Sequence, residues 1–273
     1  MKLKDIKFSV LLPVLDREDI CKGFPIAINS IFDNTLIPTQ VVVTIDGLAS
    51  NKFRKILVLY EKKYSLDLIW INKKVGLDKA LNIGIKKCKN EIIFRADGDD
   101  FNEKNRFEKQ LPFLINDYDL VGSDIDEYDE LNNFIATKKV PSSNKEIGKI
   151  ITFRNPINHM TVGYKKSVVL SVGGYPELFL KGDYGLWIKL KAKGIKFKNI
   201  NQSLVRASTG RRMIKDRGGI RYVYSELLLQ KFLYSNGLTN IFLAIIIFIM
   251  RSFVFLLPVV IRKIIYLNFL RVK

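Results

Sequence analysis

The chain is predicted to fold as an α/β domain in which a mostly parallel sheet carries helices on its faces. Three observations carry that prediction. Short apolar runs alternate with stretches of helical periodicity from Lys7 to Asn116, the pattern that right-handed crossovers build into parallel sheets. Three of those runs end in carboxylates, Asp16, Asp46 and Asp97, which would line one sheet edge. With 273 residues, 48% hydrophobic and 26% charged, the chain can bury one large core or two smaller ones, which excludes a disordered chain.

Lys7 to Leu12 reads as the first strand, closed by Pro13-Val14-Leu15-Asp16-Arg17. A helix follows with Ile20, Phe24, Ala27, Ile28 and Ile31 on one face, and Pro25 is expected to delay or kink its first turn. Val41 to Ile45 is the second strand and ends in Asp46-Gly47. Helix over Lys52 to Tyr64, strand over Leu66 to Ile71 and helix over Leu77 to Lys87 come next. Ile92-Ile93-Phe94-Arg95-Ala96 then delivers Asp97-Gly98-Asp99-Asp100. A helix from about Glu103 to Asn116 precedes a strand at Leu120 to Ser123 and an acidic hairpin turning at Asn132-Asn133. Pro141-Ser142-Ser143 marks a break, Asn155 to Val162 starts as a loop and ends as a strand, and Gly173-Gly174-Tyr175-Pro176 is a turn. Gly182 to Leu190 opens another helix.

The cluster Asp97, Asp99 and Asp100 belongs in a crevice at the strand's end, because carboxylates are costly inside a core. Oxygen donors there suit Mg²⁺ or Mn²⁺ completed by substrate phosphates, although Asp-Gly is equally an ordinary turn dipeptide. Asp183 near a helix start is either a functional carboxylate or a group stabilised by the helix dipole, and Trp187 follows it on the same face. His159, the one histidine, reads as a hydrogen-bonded core residue or a substrate contact.

The formal charge of +18 is uneven. Asp97 to Glu130 holds 12 acidic against 3 basic residues, and Lys181 to Arg221 holds 12 basic against 2 acidic. That asymmetry points to a cation near the middle and to phosphates or an anionic surface later. Arg211, Arg212, Lys215 and Arg217 with Gly218-Gly219 make a basic loop, either solvated or folding over a pyrophosphate. Cys21 and Cys88 form no disulfide framework, and Phe8 to Leu12 is too short for a signal peptide, so a reducing cytosol is expected. Residues 239–273 form a separate apolar and basic tail. Ile241 to Met250 is unbroken apolar sequence, Arg251-Ser252 interrupts it, and Pro258 lies in the second half. A charge at the centre of a span costs about 2.5–3.5 kcal/mol, so a helix pair lying in the cytoplasmic leaflet is expected, with one spanning helix as the alternative.

Several of these segments together resemble family-two glycosyltransferases of the GT-A type fold, as found in bacterial capsule, exopolysaccharide and O-antigen assembly. They are Ser9-Val10-Leu11-Leu12-Pro13-Val14, Asp46-Gly47, Gly76-Leu77 with Ala80-Leu81-Asn82, Asp97-Gly98-Asp99-Asp100 and Asn105 to Gln110. Arg154 to Thr161 and Gly182-Asp183-Tyr184 with Leu186-Trp187 extend the match, which covers about residues 5 to 235. The resemblance implies a Rossmann-like catalytic domain over 1–238, with a nucleotide-sugar half (1–140) and an acceptor half (141–238).

It also implies the roles. Pro13, Val14, Asp16, Asp46, Asp97 and Arg212 would bind the donor. Asp99 with Asp97 would hold Mg²⁺ or Mn²⁺, Asp183 would be the general base, and His159 and Trp187 would face the acceptor. The implied activity is an inverting, metal-dependent transfer of a hexose from a nucleotide-sugar to a lipid-linked oligosaccharide at the cytoplasmic face of the bacterial membrane, with no nucleic acid involved. Two positions depart from the family pattern: Leu15-Asp16 stands for Tyr-Asn, and Gly182 stands for the Glu before the base. Two other readings use the same features. A sugar nucleotidyltransferase would want a glycine-rich basic loop after the first strand, which Pro13 to Asp16 is not. A basic nucleic-acid-binding protein fits the charge, but the chain has no groove-entering motif.

Overall fold

The computed structural model describes residues 2–129, 131–208, 217–269 and 271. Among these residues nine strands form one sheet: β1 (Phe8–Val14), β2 (Gln40–Asp46), β3 (Asp67–Ile71), β4 (Ile92–Arg95), β5 (Phe101–Asn102), β6 (Leu120–Tyr128), β7 (Phe134–Lys138), β8 (Gly163–Lys165) and β9 (Phe197–Ser208). Their order is β3-β2-β1-β4-β8-β6-β9-β5, with β7 beside the far end of β6. The expected α/β class holds. The expectation of a mostly parallel sheet does not: β3-β2-β1-β4 and β6-β9 pair parallel, whereas β4-β8, β8-β6, β6-β7 and β9-β5 pair antiparallel. The cause lies in the connections. Only β6-β7 is a hairpin joined by a short turn, and the other antiparallel pairs join strands distant in sequence, so the crossovers of the first half do not set their direction.

The first half follows the sequence pattern closely. The helices α1 (Glu18–Phe32), α2 (Asn51–Tyr64) and α3 (Leu77–Lys87) connect the four parallel strands, and α1 runs through Pro25 from a start seven residues earlier. Alternate residues of β1 serve opposite faces. Phe8, Val10, Leu12 and Val14 pack with Phe24, Ile28, Phe53 and Leu57 from α1 and α2, whereas Leu11 packs with Leu81 and Ile85 of α3. Because crossovers are right-handed, the change of face between α2 and α3 accompanies the jump of β4 to the other side of β1. That jump is the topological switch point, and in open α/β sheets ligands bind outside the carboxyl ends of the strands there.

The second half adds α4 (Arg106–Asn116), α5 (Asn144–Ile150), α6 (Lys166–Ser171), α7 (Gly182–Ala192) and α8 (Ile220–Ser235). Helix α5 begins with a capping box, in which Ser143 and Glu146 satisfy each other's backbone amides. Helix α7 is buried almost all round, through Tyr184, Leu186, Trp187, Ile188 and Leu190.

The tail is a helix pair, α9 (Ile241–Leu256) and α10 (Val259–Phe269), broken at Leu257-Pro258. Among the described residues no helix is long and apolar enough to cross a membrane. Arg251, at the centre of the apolar run, turns toward the domain. It lies 3.3 Å from Glu226, which is fully buried in α8, and donates to the Phe153 carbonyl at 3.2 Å. Beyond α10, Arg271 makes a buried bidentate pair with Glu127 of β6 at 2.6 Å. The tail is therefore held to the rest of the domain by two ion pairs, whose glutamates are both buried. The outward stripe of α9, Phe242, Ile245, Ile249, Phe253 and Leu256, is exposed, with Phe242 at 77%.

Candidate active site

At the switch point the ends of β1 and β4 lie against each other. A Cβ on Gly98 would come within 2.8 Å of Val14, and one on Gly23 of α1 within 2.8 Å of the Asp99 backbone, so both positions need the missing side chain. Pro13 and Val14 are buried in β1, past Leu11, the last residue paired with β4. Asp16 accepts from the Ser50 amide at 2.6 Å, and that hydrogen bond holds its carboxyl below the usual range. Asp46 receives the Val75 and Gly76 amides at 2.7 and 2.9 Å. It thereby fixes the turn into α3, where Gly76 has a φ of 91°.

The carboxylates after β4 occupy three different environments. Arg95, buried in β4, grips both oxygens of Asp97, one of them at 2.7 Å. Asp99 is partly buried, and burial followed by repulsion from Asp97 pushes its carboxyl up to about 6. Asp100 is buried, accepts from the Ser208 amide at 2.9 Å and leaves its Oδ2 without a partner, and burial raises it well above the ordinary value. From behind, the buried guanidinium of Arg106 ties this loop down. It donates to the Arg95 carbonyl at 2.7 Å, to Gln110 at 3.1 Å and to Asn102.

Among the described residues no group of three or more His, Cys, Asp or Glu is arranged to hold a metal ion. The donor set still suits a hard divalent cation. Asp99 is a carboxylate whose ionised form is repelled by its neighbour, and a cation held by one or two carboxylates would relieve that repulsion while leaving positions for phosphate oxygens.

The other side of the crevice is assembled from distant segments. The Arg95 amide donates to the Val162 carbonyl at 2.8 Å, which ties the loop carrying Asn158 and His159 to the end of β4. His159 Nε2 lies 2.9 Å from the Tyr175 hydroxyl, and its ring meets Tyr175 and Trp187 at centroid distances of 5.4 and 5.9 Å. Burial, then the Arg95 charge, pushes the imidazole well below its ordinary value, so it is neutral near pH 7. Tyr175 is held by Asn82 of α3, which accepts from its amide at 2.8 Å and donates to its carbonyl at 2.9 Å. Asp183, half-buried in the first turn of α7, accepts from Asn155 Nδ2 at 2.8 Å.

The structure thus gathers His159 and Trp187 into one aromatic group, and sets Pro13, Val14, Asp97 and Asp99 together at the switch point. Asp16 and Asp46 flank that point, each engaged with backbone amides. Arg212 lies outside the described residues. Sequence reasoning missed Arg95, Asn155 and Tyr175. Arg95 carried a signal, since a lone arginine in a buried strand requires a partner, and Asp97 stands two residues on. Tyr175 carried none, because Asn82 places it through contacts 93 residues apart.

Residues 9–169 match the profile described as Glycosyl transferase family 2. The chain is 35% identical over 269 residues to an Escherichia coli protein named UDP-Gal:alpha-D-GlcNAc-diphosphoundecaprenol beta-1,3-galactosyltransferase, covering 97% of each chain. Other relatives are named as glycosyltransferases of amylovoran and O-antigen biosynthesis. The fold is similar to that of S. aureus TarS 1-349 in complex with UDP-GlcNAc (TM-score 0.64, 18% identity, 84% of this chain and 66% of that one). It is also similar to the Pyrobaculum calidifontis mannosyltransferase PcManGT in complex with GDP-Man and Mn2+ (TM-score 0.61, 12% identity, 90% and 69%). With more than half its length matched by the profile and nearly all of it by a relative, the chain belongs to glycosyl transferase family 2, among bacterial enzymes of surface-polysaccharide biosynthesis.

Proposed function

We propose that the chain transfers a hexose, with inversion, from a UDP-sugar to a hydroxyl of a lipid-diphosphate-linked acceptor at the cytoplasmic membrane surface. The observation that carries the reading is the switch-point crevice. Carboxylates Asp97 and Asp99 stand on its β4 side, and a loop hydrogen-bonded to that same strand brings the His159–Tyr175–Trp187 group beside it. Asp183 begins the helix that carries Trp187.

The donor's base and ribose belong beside Pro13, Val14, Asp16 and Asp46, and its diphosphate beside Asp97 and Asp99. Mg²⁺ or Mn²⁺ held by Asp99, with Arg95 keeping Asp97 oriented, would supply Lewis-acid stabilisation of the leaving diphosphate. Asp183, steadied by Asn155, accepts the proton of the acceptor hydroxyl as that oxygen attacks the anomeric carbon. A carboxylate in this role contributes about 10²–10⁴-fold. Base and leaving group on opposite faces of the sugar give inversion. Neutral His159, backed by the buried Trp187 ring, forms the wall against which the acceptor sugar packs.

The tail supports the lipid side of the reading. Arg251 is withdrawn from the apolar stripe of α9, which leaves an uncharged exposed face suited to lying in a leaflet, while the exposed Lys263 suits anionic headgroups. The E. coli relative's name specifies UDP-Gal and a GlcNAc-diphospholipid, so these are the substrates to test first. Incubation of the detergent-extracted protein with UDP-galactose, Mn²⁺ and a synthetic GlcNAc-diphospholipid should give a β-linked disaccharide lipid. An α-linked product would remove the inverting mechanism, and no transfer from a panel of UDP-sugars would remove the donor class.

A further inference from the structure

Lys138, the last residue of β7, is half-buried, and its ammonium has no hydrogen-bond or ion-pair partner among the described residues. In the β6-β7 register Ile125 stands opposite Lys138 and Glu127 opposite Ala136, so Glu127 and Lys138 are diagonal neighbours on one face of the pair. Arg271 takes both Glu127 oxygens at 2.6 Å, so that carboxylate already has its cation. The loop that steadies α7 also reaches this strand: Asn155 Nδ2 donates to Asp183 at 2.8 Å and Asn158 Nδ2 to the Lys138 carbonyl at 3.5 Å. Arg217 is fastened to the tail. Its carbonyl accepts from Arg262 of α10 at 2.5 Å, and the Gly219 amide donates to the Phe255 carbonyl of α9 at 2.9 Å. A Cβ on Gly218 would run into the Arg262 guanidinium, so the glycine permits this seating, and the Arg217 side chain is left exposed. Burial, then the charges of Arg271 and Arg217, pushes the Lys138 ammonium down to about 7, against the pull of Glu127 and Asp183. Positive charge gathered so closely is relieved by an anion.

We propose that Lys138 and Arg217 hold the diphosphate of the lipid-linked acceptor, on the same side of the reacting sugar as Asp183. This rests on the acceptor reading above, in which the attacked hydroxyl belongs to the sugar that carries the diphosphate, so the two lie no more than one sugar ring apart. In an inverting transfer the donor's diphosphate leaves on the face away from the base, so cations grouped around Asp183 serve the acceptor and not the donor. Lys138 supplies a point charge in a poorly solvated place, and Arg217 a planar fork that matches phosphate oxygens. The segment carrying Arg217 hangs on α9, whose outward stripe is apolar. The lipid, diphosphate and sugar of the acceptor thus find an apolar helix, two cations and a carboxylate that are joined to one another in the same order.

The test uses the full-length protein in detergent. Farnesyl diphosphate titrated into protein saturated with UDP and Mn²⁺ should bind, because UDP already fills the donor side, and Lys138→Met should weaken that binding by about tenfold or more. Arg217→Gln, at an exposed side chain, should weaken it less. Neither exchange threatens the fold: an ammonium with a lowered folded-state pKa costs stability at neutral pH, and methionine removes that cost. In transfer, Lys138→Met should raise the KM for the GlcNAc-diphospholipid by a similar factor while UDP affinity is retained. The gap between wild type and variant should close on an alkyl N-acetylglucosaminide, which has no diphosphate. An equal gap on both acceptors would make Lys138 a structural residue. Lost UDP affinity would assign the cations to the donor, and weaker sedimentation with anionic vesicles free of acceptor would assign them to headgroups. Each of these results would overturn the proposal. Farnesyl diphosphate binding that depends on Lys138, without transfer to either acceptor from any UDP-sugar, would support the site and remove the proposed transfer instead, so the two failures are distinguishable.

Discussion

The two sides of the crevice are built in opposite ways. The proposed donor side is local: Arg95 to Asp100 is one uninterrupted stretch, facing Pro13 to Asp16 across two adjacent strand ends, with Arg106 locking it from behind. The proposed acceptor side collects Asn155, His159, Tyr175, Asp183 and Trp187 from two loops and a helix, and its fastenings are long-range side-chain grips such as Asn82 on Tyr175. A site made from consecutive residues at strand ends comes with the sheet itself. A site collected from loops depends on each fastening. Breaking the donor side should therefore abolish binding, whereas breaking the acceptor side should leave binding and damage transfer.

The largest effect belongs to the donor side. Asp99→Asn should abolish Mn²⁺-dependent UDP binding in calorimetric titration and lower transfer by about 10³-fold, with a nearly unchanged melting temperature because the carboxylate sits at the crevice rather than in the core. Unaltered Mn²⁺ dependence would place the cation elsewhere.

A smaller effect is expected at the tail, which docks on the acceptor half through Arg251 and Glu226. Ile249→Glu with Phe253→Glu should reduce sedimentation with anionic vesicles by about 10²-fold, since each buried apolar side chain is worth about 1.5–3 kcal/mol. UDP affinity in detergent should not change. Vesicle binding equal to wild type would show that this stripe is not the lipid face.

The smallest lies within the acceptor wall. Tyr175→Phe removes the hydroxyl that meets His159, a contact worth about 1 kcal/mol, and should raise the acceptor KM several-fold with the donor KM untouched. A change in donor KM instead would mean that the two sides are not separable.

The same contrast explains what the sequence disclosed. The parallel strands β1 to β4, helix α3 to the residue, and the carboxylates at their ends were legible because periodicity and strand-end placement are local signals. Strand β9 went unread because Asn199, Asn201 and Gln202 break its apolar alternation; Asn199 is instead buried through bonds to the Pro141 and Pro156 carbonyls. Helix α8 has no clean apolar stripe, since it buries Glu226 and Gln230 along with Leu229 and Leu233. The capping box at Ser143 and Glu146 was a readable helix start that the preceding proline overshadowed. Arg251 read as an obstacle to membrane insertion, and only its partner Glu226, 25 residues earlier, shows that the charge is turned inward.

The division of labour between the two sides is tested most directly by carrying Asp99→Asn and Asp183→Asn through the same pair of measurements, UDP titration with Mn²⁺ and single-turnover transfer. Asp99→Asn should lose both. Asp183→Asn should bind UDP within about twofold of wild type yet lose transfer by about 10²–10⁴-fold, because the base acts on the acceptor hydroxyl and not on the donor. Near-normal transfer by Asp183→Asn, with asparagine serving equally well in the first turn of α7, would contradict the account and leave Asp183 a helix-terminal residue.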